Sequence, residues 1–152
     1  MTCSFFCVKI PIMNRKEHSF GIIPLRKVGK TFEVLLVKHQ AGHWAFPKGH
    51  AEIHETPQET AERELFEEVG LKVDKWILTA PLEESYTFQK MDDLISKAVT
   101  YFPAFVTGLL NLREAEISDA KWLSLEDAET LCTFPPSKAL CEMLKQSCPS
   151  YY

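Results

Sequence analysis

The sequence predicts an α/β fold in which a mixed β-sheet lies between helices, an α/β/α sandwich. Two apolar strand-like segments come first, an amphipathic helix follows, further strand-like segments come next, and a last helix closes the pattern. At 152 residues, the chain is long enough for one domain with a substantial core. We therefore expect a single domain over residues 1–152.

The strand predictions depend on short apolar and β-branched runs bounded by turn residues. The predicted strands are residues 18–25, 31–39, 73–81, 98–107 and 119–125. Pro103 interrupts the fourth run. Because proline has no N–H to donate, it favours an edge strand or a bulge at that point.

The remaining segments before the last helix are predicted as turns and loops. Residues 26–30 form a polar turn, and residues 40–50 form a loop. Residues 83–97 are polar and mixed, which favours a loop with a strand end near residues 86–88. Residues 1–17 are ambiguous, and a short edge strand is one interpretation.

The first predicted helix, residues 57–69, carries a full set of end signals. Thr56 is a good N-cap, Pro57 takes the first helical position, and Glu59 completes a capping box. Gly70 is placed to end the helix in a left-handed conformation.

The C-terminal part of the chain predicts two more helical segments. Residues 125–131 begin one helix, and the sequence from Pro135 introduces the last helix, which runs to about residue 146. Leu140, Met143 and Leu144 are expected to point inward from it.

Three carboxylates lie on one face of the first helix. Glu64, Glu67 and Glu68 stand at i, i+3 and i+4, so they share about a third of the helix circumference. Like charges at this spacing repel, whereas a cluster of oxygen ligands suits an ion such as Mg²⁺. A solvated acidic helix face is the alternative. Leu65 and Val69 lie on the neighbouring sector and are expected to pack inward.

The region around this helix resembles the Nudix hydrolases, which have an α/β/α sandwich fold. The matching residues within 49–71 are Gly49, Glu55, Arg63, Glu64, Leu65, Glu67, Glu68, Gly70 and Leu71. The resemblance implies a catalytic metal site for Mg²⁺, with Mn²⁺ as a substitute. It implies metal ligands at Glu64, Glu67, Glu68, Gly49 and Glu116. Arg63 and Glu55 resemble a pair that orients these ligands, and an ordinary surface ion pair is the alternative.

The preceding loop resembles that of hydrolases that cleave diadenosine tetraphosphate asymmetrically. The matching segment is residues 43–52, His-Trp-Ala-Phe-Pro-Lys-Gly-His-Ala-Glu. The resemblance implies that Lys48 binds phosphate and that His43 donates to a phosphate oxygen. A solvated lysine and a loop-packing histidine are the alternatives. Trp44 and Phe46 are expected in the core or the pocket wall.

Residues 97–102 resemble a strand of the same hydrolases. The resemblance implies that Lys97 contacts phosphate and that Tyr101 stacks on adenine, with Phe134 as the second aromatic of the stack. Both aromatics have core packing as an alternative. Tyr86 is a further candidate for the pocket.

Glu116 precedes Trp122 by the interval found for a glutamate in these relatives. There the residue is an extra metal ligand or orients the attacking water. The local sequence departs from the pattern of the relatives, so Glu114 is a rival.

Charge and cysteine content exclude several functional classes. The net charge of −4 argues against general nucleic-acid binding through a basic surface. The five cysteines show no zinc-binding spacing, which favours reduced thiols and a cytoplasmic location. We find no signal peptide and no apolar run of the roughly 20 residues that span a membrane. No protein partner is predicted.

The two resemblances together predict Mg²⁺-dependent hydrolysis of a dinucleoside polyphosphate, namely asymmetric cleavage of diadenosine 5′,5‴-tetraphosphate to ATP and AMP. One alternative is a pyrophosphohydrolase for another nucleoside diphosphate derivative, such as an oxidised nucleotide, a nucleotide sugar or an RNA 5′ end. Another is a non-catalytic nucleotide sensor, which the presence of Arg63 and all three helix glutamates disfavours.

Overall fold

The computed structural model describes residues 14–77 and 80–147. Within these segments the chain forms eight strands and three helices. In chain order they are β1 (Asn14–Val28), β2 (Thr31–His39), β3 (Trp44–Ala45), β4 (Lys48–His50), α1 (Pro57–Val69), β5 (Lys72–Trp76), β6 (Leu82–Lys90), β7 (Asp93–Thr107), β8 (Ile117–Leu123), α2 (Leu125–Leu131) and α3 (Pro135–Ser147).

The sheet is organised around a parallel pair made by β1 and β7. The two strands run side by side from Asn14 opposite Leu94 to Leu25 opposite Phe105. The order of strands is β3-β2-β1-β7-β5, and β4, β6 and β8 pair with β1, β7 and β2 in antiparallel fashion. The predicted mixed sheet is confirmed.

On the side that faces away from the β1–β7 pairing, each of these two strands pairs with two other strands in succession, and a proline lies between the two pairings. On β1, Pro24 lies between the residues paired with β4 and those paired with β2. On β7, Pro103 lies between the part paired with β6, which ends at Tyr101, and the part paired with β5, which begins at Ala104. The Pro103 carbonyl accepts the Ile77 N–H at 3.2 Å. The predicted edge strand or bulge at Pro103 is wrong, because a gap between two partners removes the need for an N–H there.

The segment predicted as a loop at residues 83–97 is a β-hairpin. β6 pairs with the first half of β7, and Met91, at φ 57°, lies in the turn that joins them. Leu82, Glu84 and Tyr86 alternate toward the interior. The charge at the middle position interrupts the apolar alternation that identifies a half-buried strand, and this explains the error.

Other strand boundaries also differ from the prediction. β1 is longer than the predicted strand and leaves a turn of only residues 29–30, while β5 ends at Trp76 and β8 begins at Ile117. The predicted loop at 40–50 contains β3 and β4. The proposed edge strand in residues 1–17 lies largely outside the described residues.

Helices cover both faces of the sheet. Along β2, Val34 and Leu36 face the layer formed by α2 and α3, whereas Leu35 and Val37 face α1. A strand buried on both faces has a continuous apolar run rather than an alternating one. The α/β/α sandwich and the last two predicted helices are confirmed.

The inward face of α3 is also as expected. Leu140 and Leu144 are fully buried, and Met143 packs against the same cluster. Across residues 14–77 and 80–147, the helices are too short or too polar to cross a membrane.

Candidate active site

The caps of α1 fix the position of its acidic face. Thr56 accepts the Glu59 N–H at 3.2 Å, and the Glu59 carboxylate accepts the Thr56 N–H at 2.9 Å, so the capping box is present. Gly70 ends the helix at φ 78°, a left-handed conformation that favours glycine. Leu65 and Val69 are fully buried against the sheet, as predicted.

The segment after β7 binds the C-terminal end of α1. The N–H of Asn111 donates to the Val69 carbonyl at 2.8 Å, and the N–H of Arg113 donates to the Glu68 carbonyl at 3.0 Å. Carbonyls at a helix end have no partner within the helix, so these bonds fasten the segment to α1. Arg113 and Glu116 therefore lie beside the acidic face.

Arg63 connects most of the acidic residues of the site. Its guanidinium contacts both oxygens of Glu55, at 2.7 and 3.1 Å, and its Nη1 contacts Glu64 at 3.0 Å and Glu67 at 3.2 Å. It also donates to the His50 carbonyl at 2.9 Å. Hydrogen bonds from Arg63 and from the Glu52 N–H lower the pKa of Glu55 to about 2. The predicted pairing of Arg63 with Glu55 is therefore present, and it reaches Glu64 and Glu67.

Glu68 is the most deeply buried carboxylate of the three. Its residue is 3% exposed, and its Oε1 has no hydrogen-bond partner among the described residues. Burial and the nearby charge of Glu64 raise the pKa of Glu68 to about 8. Burial also raises the pKa of Glu64. An unpartnered, desolvated carboxylate next to another carboxylate is stabilised by a bound cation.

The donor chemistry therefore fits the Mg²⁺ or Mn²⁺ expected from the sequence, since both ions favour oxygen ligands. In residues 14–77 and 80–147, no three acidic, histidine or cysteine side chains form a closed coordination cluster. Arg63 lies between Glu64 and Glu67 instead. The metal-ligand roles of Glu64, Glu67, Glu68, Gly49 and Glu116 remain predictions.

Gly49 provides the space that Glu64 occupies. It lies on β4 opposite Phe20 of β1, and a Cβ added at this position would overlap the Glu64 carboxylate. The close approach explains why this position requires glycine. Gly49 therefore controls where the Glu64 carboxylate lies.

Lys48 lies near two histidines, His39 and His43. His39 and His43 stack with ring centroids 4.4 Å apart, in a tight turn closed by the His39 N–H to the His43 carbonyl at 2.9 Å. Burial, the charge of His43 and then that of Lys48 lower the pKa of His39 to about 4. Burial and Lys48 also lower the pKa of His43. Both rings are therefore neutral near pH 7.

Phe134 borders this histidine pair from the start of α3. Its ring lies 5.5 Å from that of His43, tilted by 44°, and the residue is 51% exposed. An exposed aromatic beside two neutral imidazoles is available for stacking, as predicted for a base-binding residue.

Lys97 is almost completely buried on β7. Its Nζ lies 3.1 Å from His50 Nε2 and 3.8 Å from a Glu17 oxygen. Burial and the charge of Lys48 lower its pKa. Together with Tyr86 and Glu17 it lines a cavity of about 390 Å³. Lys97 and Tyr86 thus lie together, as expected if both contact the substrate.

The stacking role predicted for Tyr101 does not agree with the structure. Tyr101 is 0% exposed, and its ring packs edge-on against Phe46 at 5.8 Å. Its hydroxyl donates to the buried carboxylate of Glu84 at 3.4 Å. The position faces inward on a central strand, so core packing, the alternative interpretation, is correct.

Glu116 rather than Glu114 belongs to the acidic group. The charge of Glu116 contributes to the raised pKa of Glu68, and its carboxylate lies 3.9 Å from Arg113 Nη1. Glu114 instead contributes its backbone carbonyl, which accepts Gln40 Nε2 at 2.6 Å.

Three polar residues of the site were not predicted from the sequence. His39 ends β2 and has a buried Nε2 without a partner in the described part of the chain. Glu84 is 6% exposed and accepts hydrogen bonds from Tyr101 and from Ser137 Oγ, both at 3.4 Å. Arg113 lies 3.6 Å from Glu67. None of the three had a usable local signal, because the charge of Glu84 itself interrupts the apolar alternation of residues 82, 84 and 86.

Comparisons with known proteins agree with this arrangement. A model of the NUDIX domain matches residues 15–141. The asymmetrical bis(5′-nucleosyl)-tetraphosphatase of Rattus norvegicus is 34% identical over 115 residues, covering 72% of this chain and 76% of the rat protein. The putative mutator protein MutT4 of Mycobacterium tuberculosis is 29% identical over 101 residues, covering 66% of this chain but 40% of MutT4.

A solved structure gives the same fold. The crystal structure of a C. elegans Ap4A hydrolase binary complex has a TM-score of 0.68 at 21% identity and covers 86% of this chain and 96% of that one.

We expect acidification to destabilise the protein through His39. A pKa lowered from 6.5 to about 4 means that the unfolded chain binds this proton more readily. The contribution to stability is complete above pH 6.5 and is lost as the pH falls toward 4. Because the ring is partly exposed, we expect wild type to lose about 1 kcal/mol more unfolding free energy than His39→Gln between pH 7 and pH 5. Urea denaturation at both pH values measures this difference.

The exposed His54, changed to Gln, is the control and should behave as wild type. Equal losses of unfolding free energy in His39→Gln and wild type would contradict the prediction.

We expect Gly49→Ala to weaken metal binding while the protein remains folded. The added methyl group takes the place of the Glu64 carboxylate, and displacement of one ligand weakens Mg²⁺ or Mn²⁺ binding by about 10- to 100-fold. Calorimetric titration with Mn²⁺ measures the affinity, and circular dichroism verifies the fold. Ala51→Ser, at an exposed position of the same loop, should bind as wild type. Unchanged affinity in Gly49→Ala would show that Glu64 is not a ligand.

Proposed function

The chain belongs to the Nudix family, and we propose that it cleaves diadenosine 5′,5‴-tetraphosphate asymmetrically to ATP and AMP with Mg²⁺. At the level of the family, its activity is that of a hydrolase of nucleoside polyphosphates. The observation that best supports the proposal is the position of Lys48 on β4, directly before Gly49, which packs against the Glu64 carboxylate. A cation next to buried carboxylates suits a phosphate chain that is bound together with a metal ion.

Glu64, Glu67, Glu68 and Glu116 are the proposed metal-binding residues. A bound Mg²⁺ would neutralise charge on the phosphate oxygens and make water easier to deprotonate there. Arg63 keeps Glu64 and Glu67 at a fixed separation in the absence of the ion. The buried position of Glu68 keeps water away from one side of the proposed site.

Lys48, Lys97 and His43 are the proposed phosphate-binding residues of the protein. Lys48 and Lys97 carry positive charge, and burial together with the charge of Lys48 lowers the pKa of Lys97. His43 is neutral and so can donate one N–H to a phosphate oxygen without adding to that repulsion. These groups hold the chain so that ATP leaves with its negative charge compensated.

Glu116 is the proposed acceptor of the proton of the attacking water. Water oxygen bonds to the phosphorus of an end phosphate, and the bridging P–O bond breaks, with its electron pair leaving on the ATP oxygen. Glu116 is half exposed beside Arg113 and close enough to Glu68 to affect its pKa. It therefore faces both solvent, which supplies the water, and the proposed metal site.

Recognition of the nucleoside is assigned to Phe134 and Tyr86. Phe134 exposes its ring beside His43, and Tyr86 lines the cavity that contains Lys97. The rat relative carries the name of an asymmetrical tetraphosphatase, which supports the dinucleotide as substrate.

A second candidate is pyrophosphohydrolysis of another nucleoside diphosphate derivative. The burial of Tyr101 removes one aromatic from the expected adenine stack, and this favours a substrate with less demand for stacking on both sides of the base. A mononucleoside triphosphate preferred over dinucleoside polyphosphates would identify this activity.

We expect the purified protein with Mg²⁺ to convert diadenosine tetraphosphate to ATP and AMP. In ¹⁸O-labelled water the label should enter AMP alone, because water attacks the end phosphate. Chromatography with mass spectrometry identifies both products and the position of the label. A panel with nucleotide sugars and nucleoside triphosphates is run in parallel, and EDTA should stop turnover. Two ADP molecules, or an intact dinucleotide, would contradict the proposal.

We expect Glu67→Gln to lower kcat at least about 100-fold, because the loss of a charged ligand removes several kcal/mol of transition-state stabilisation. Thermal denaturation should show that the variant is folded. Glu62→Gln removes a charge from the exposed side of the same helix and serves as the matched control. Its kcat should equal that of wild type. Equal turnover in both variants would exclude Glu67 from the metal site.

A further inference from the structure

A second cavity adjoins the acidic face of α1. It has a volume of about 470 Å³ and lies between α1 and residues 109–113, with Glu67 on its border. We propose that this cavity binds the second nucleoside of the dinucleotide, with Arg113 contacting the phosphate that leads into it. The proposal rests on the proposed function, since a mononucleotide has no second nucleoside.

The order of charges supports a path for the phosphate chain. Lys48 precedes Gly49 on β4, and Gly49 packs against the Glu64 carboxylate. Arg113 Nη1 lies 3.6 Å from Glu67 and 3.9 Å from Glu116. The acidic face therefore has Lys48 near Glu64 and Arg113 near Glu67. A phosphate chain that runs from Lys48 along this face would reach Arg113, and a guanidinium suits phosphate oxygens.

The walls of the cavity suit a purine or pyrimidine base. Phe66 is 53% exposed and Leu109 is 89% exposed, both at its opening. Exposed rings bind bases by stacking, and the cavity volume lies in the range of about 300–1,000 Å³ found for small-molecule sites. Lys72, at the start of β5, places its Nζ 5.5 Å from the ring of Phe66 on α1.

Contacts within the chain hold the wall formed by residues 109–113 in place. Asn111 donates its N–H to the Val69 carbonyl, and its Cβ lies 3.0 Å from the point where a Cβ on Gly70 would stand. Close packing and a backbone hydrogen bond hold the segment against α1. A preformed wall loses little entropy when a nucleoside binds.

Phe66→Ala tests the proposal, because it removes the exposed ring and leaves Glu67 in place. We measure KM for diadenosine tetraphosphate and the inhibition constant of adenosine 5′-tetraphosphate, which has a single nucleoside. Loss of one stacking contact should raise the ratio of KM to that inhibition constant about tenfold. Leu109→Ala should also raise this ratio. Met91→Ala, which removes an apolar side chain that is 90% exposed in the β6–β7 turn, should leave both constants unchanged.

Two results would overturn the proposal. An unchanged ratio in Phe66→Ala, or an equal rise in both constants, would show that the ring does not contact a second nucleoside. Light scattering that detects self-association in wild type and its loss in Phe66→Ala would identify a second copy of the chain as the occupant. If wild type cleaves neither diadenosine tetraphosphate nor adenosine 5′-tetraphosphate, the proposed function fails. The subsite is then tested separately by calorimetry, which compares the affinities of wild type and Phe66→Ala for the intact dinucleotide.

Discussion

The Arg63 guanidinium is the interaction on which the rest of the site depends. Three carboxylates within two turns of one helix repel each other, and α1 contains no other basic residue to offset them. Arg63 contacts Glu64 and Glu67 through one nitrogen and Glu55 through two others. Its hydrogen bond to the His50 carbonyl connects α1 to β4. A lysine at this position would lack the planar set of donors that makes these four contacts at once.

The site combines a stably packed and capped helix, α1, with a buried carboxylate in an energetically unfavourable environment. Leu65 and Val69 fix α1 to the sheet, and the capping box and Gly70 define its ends. Glu68 lies in the same buried layer with an oxygen that has no partner among the described residues. A buried polar group without a partner destabilises a fold, and such positions are typical of ligand-binding residues. The packed and capped helix therefore tolerates a carboxylate whose environment favours a bound cation.

The sequence predicted α1 well because its signals are local. Thr56, Glu59 and Gly70 act on residues within a few positions, so their effects do not depend on the rest of the fold. Tyr101 was misinterpreted and Glu84 was not predicted because their neighbours are distant in sequence, Phe46 beside Tyr101 and Ser137 beside Glu84. Arg113 was overlooked for the same reason, since its partner Glu67 is brought close only by the hydrogen bonds at the end of α1.

The parallel pairing of β1 and β7 has a consequence for how the chain folds. Partner residues in this pair are roughly 80 residues apart in the sequence, so the centre of the sheet closes only after most of the chain is available. Loop closure over such distances is slow, and folds dominated by it form in milliseconds to seconds. During synthesis, α1 leaves the ribosome before β7. Its apolar side then has no complete sheet to pack on, and the nascent chain exposes that side until the C-terminal half emerges.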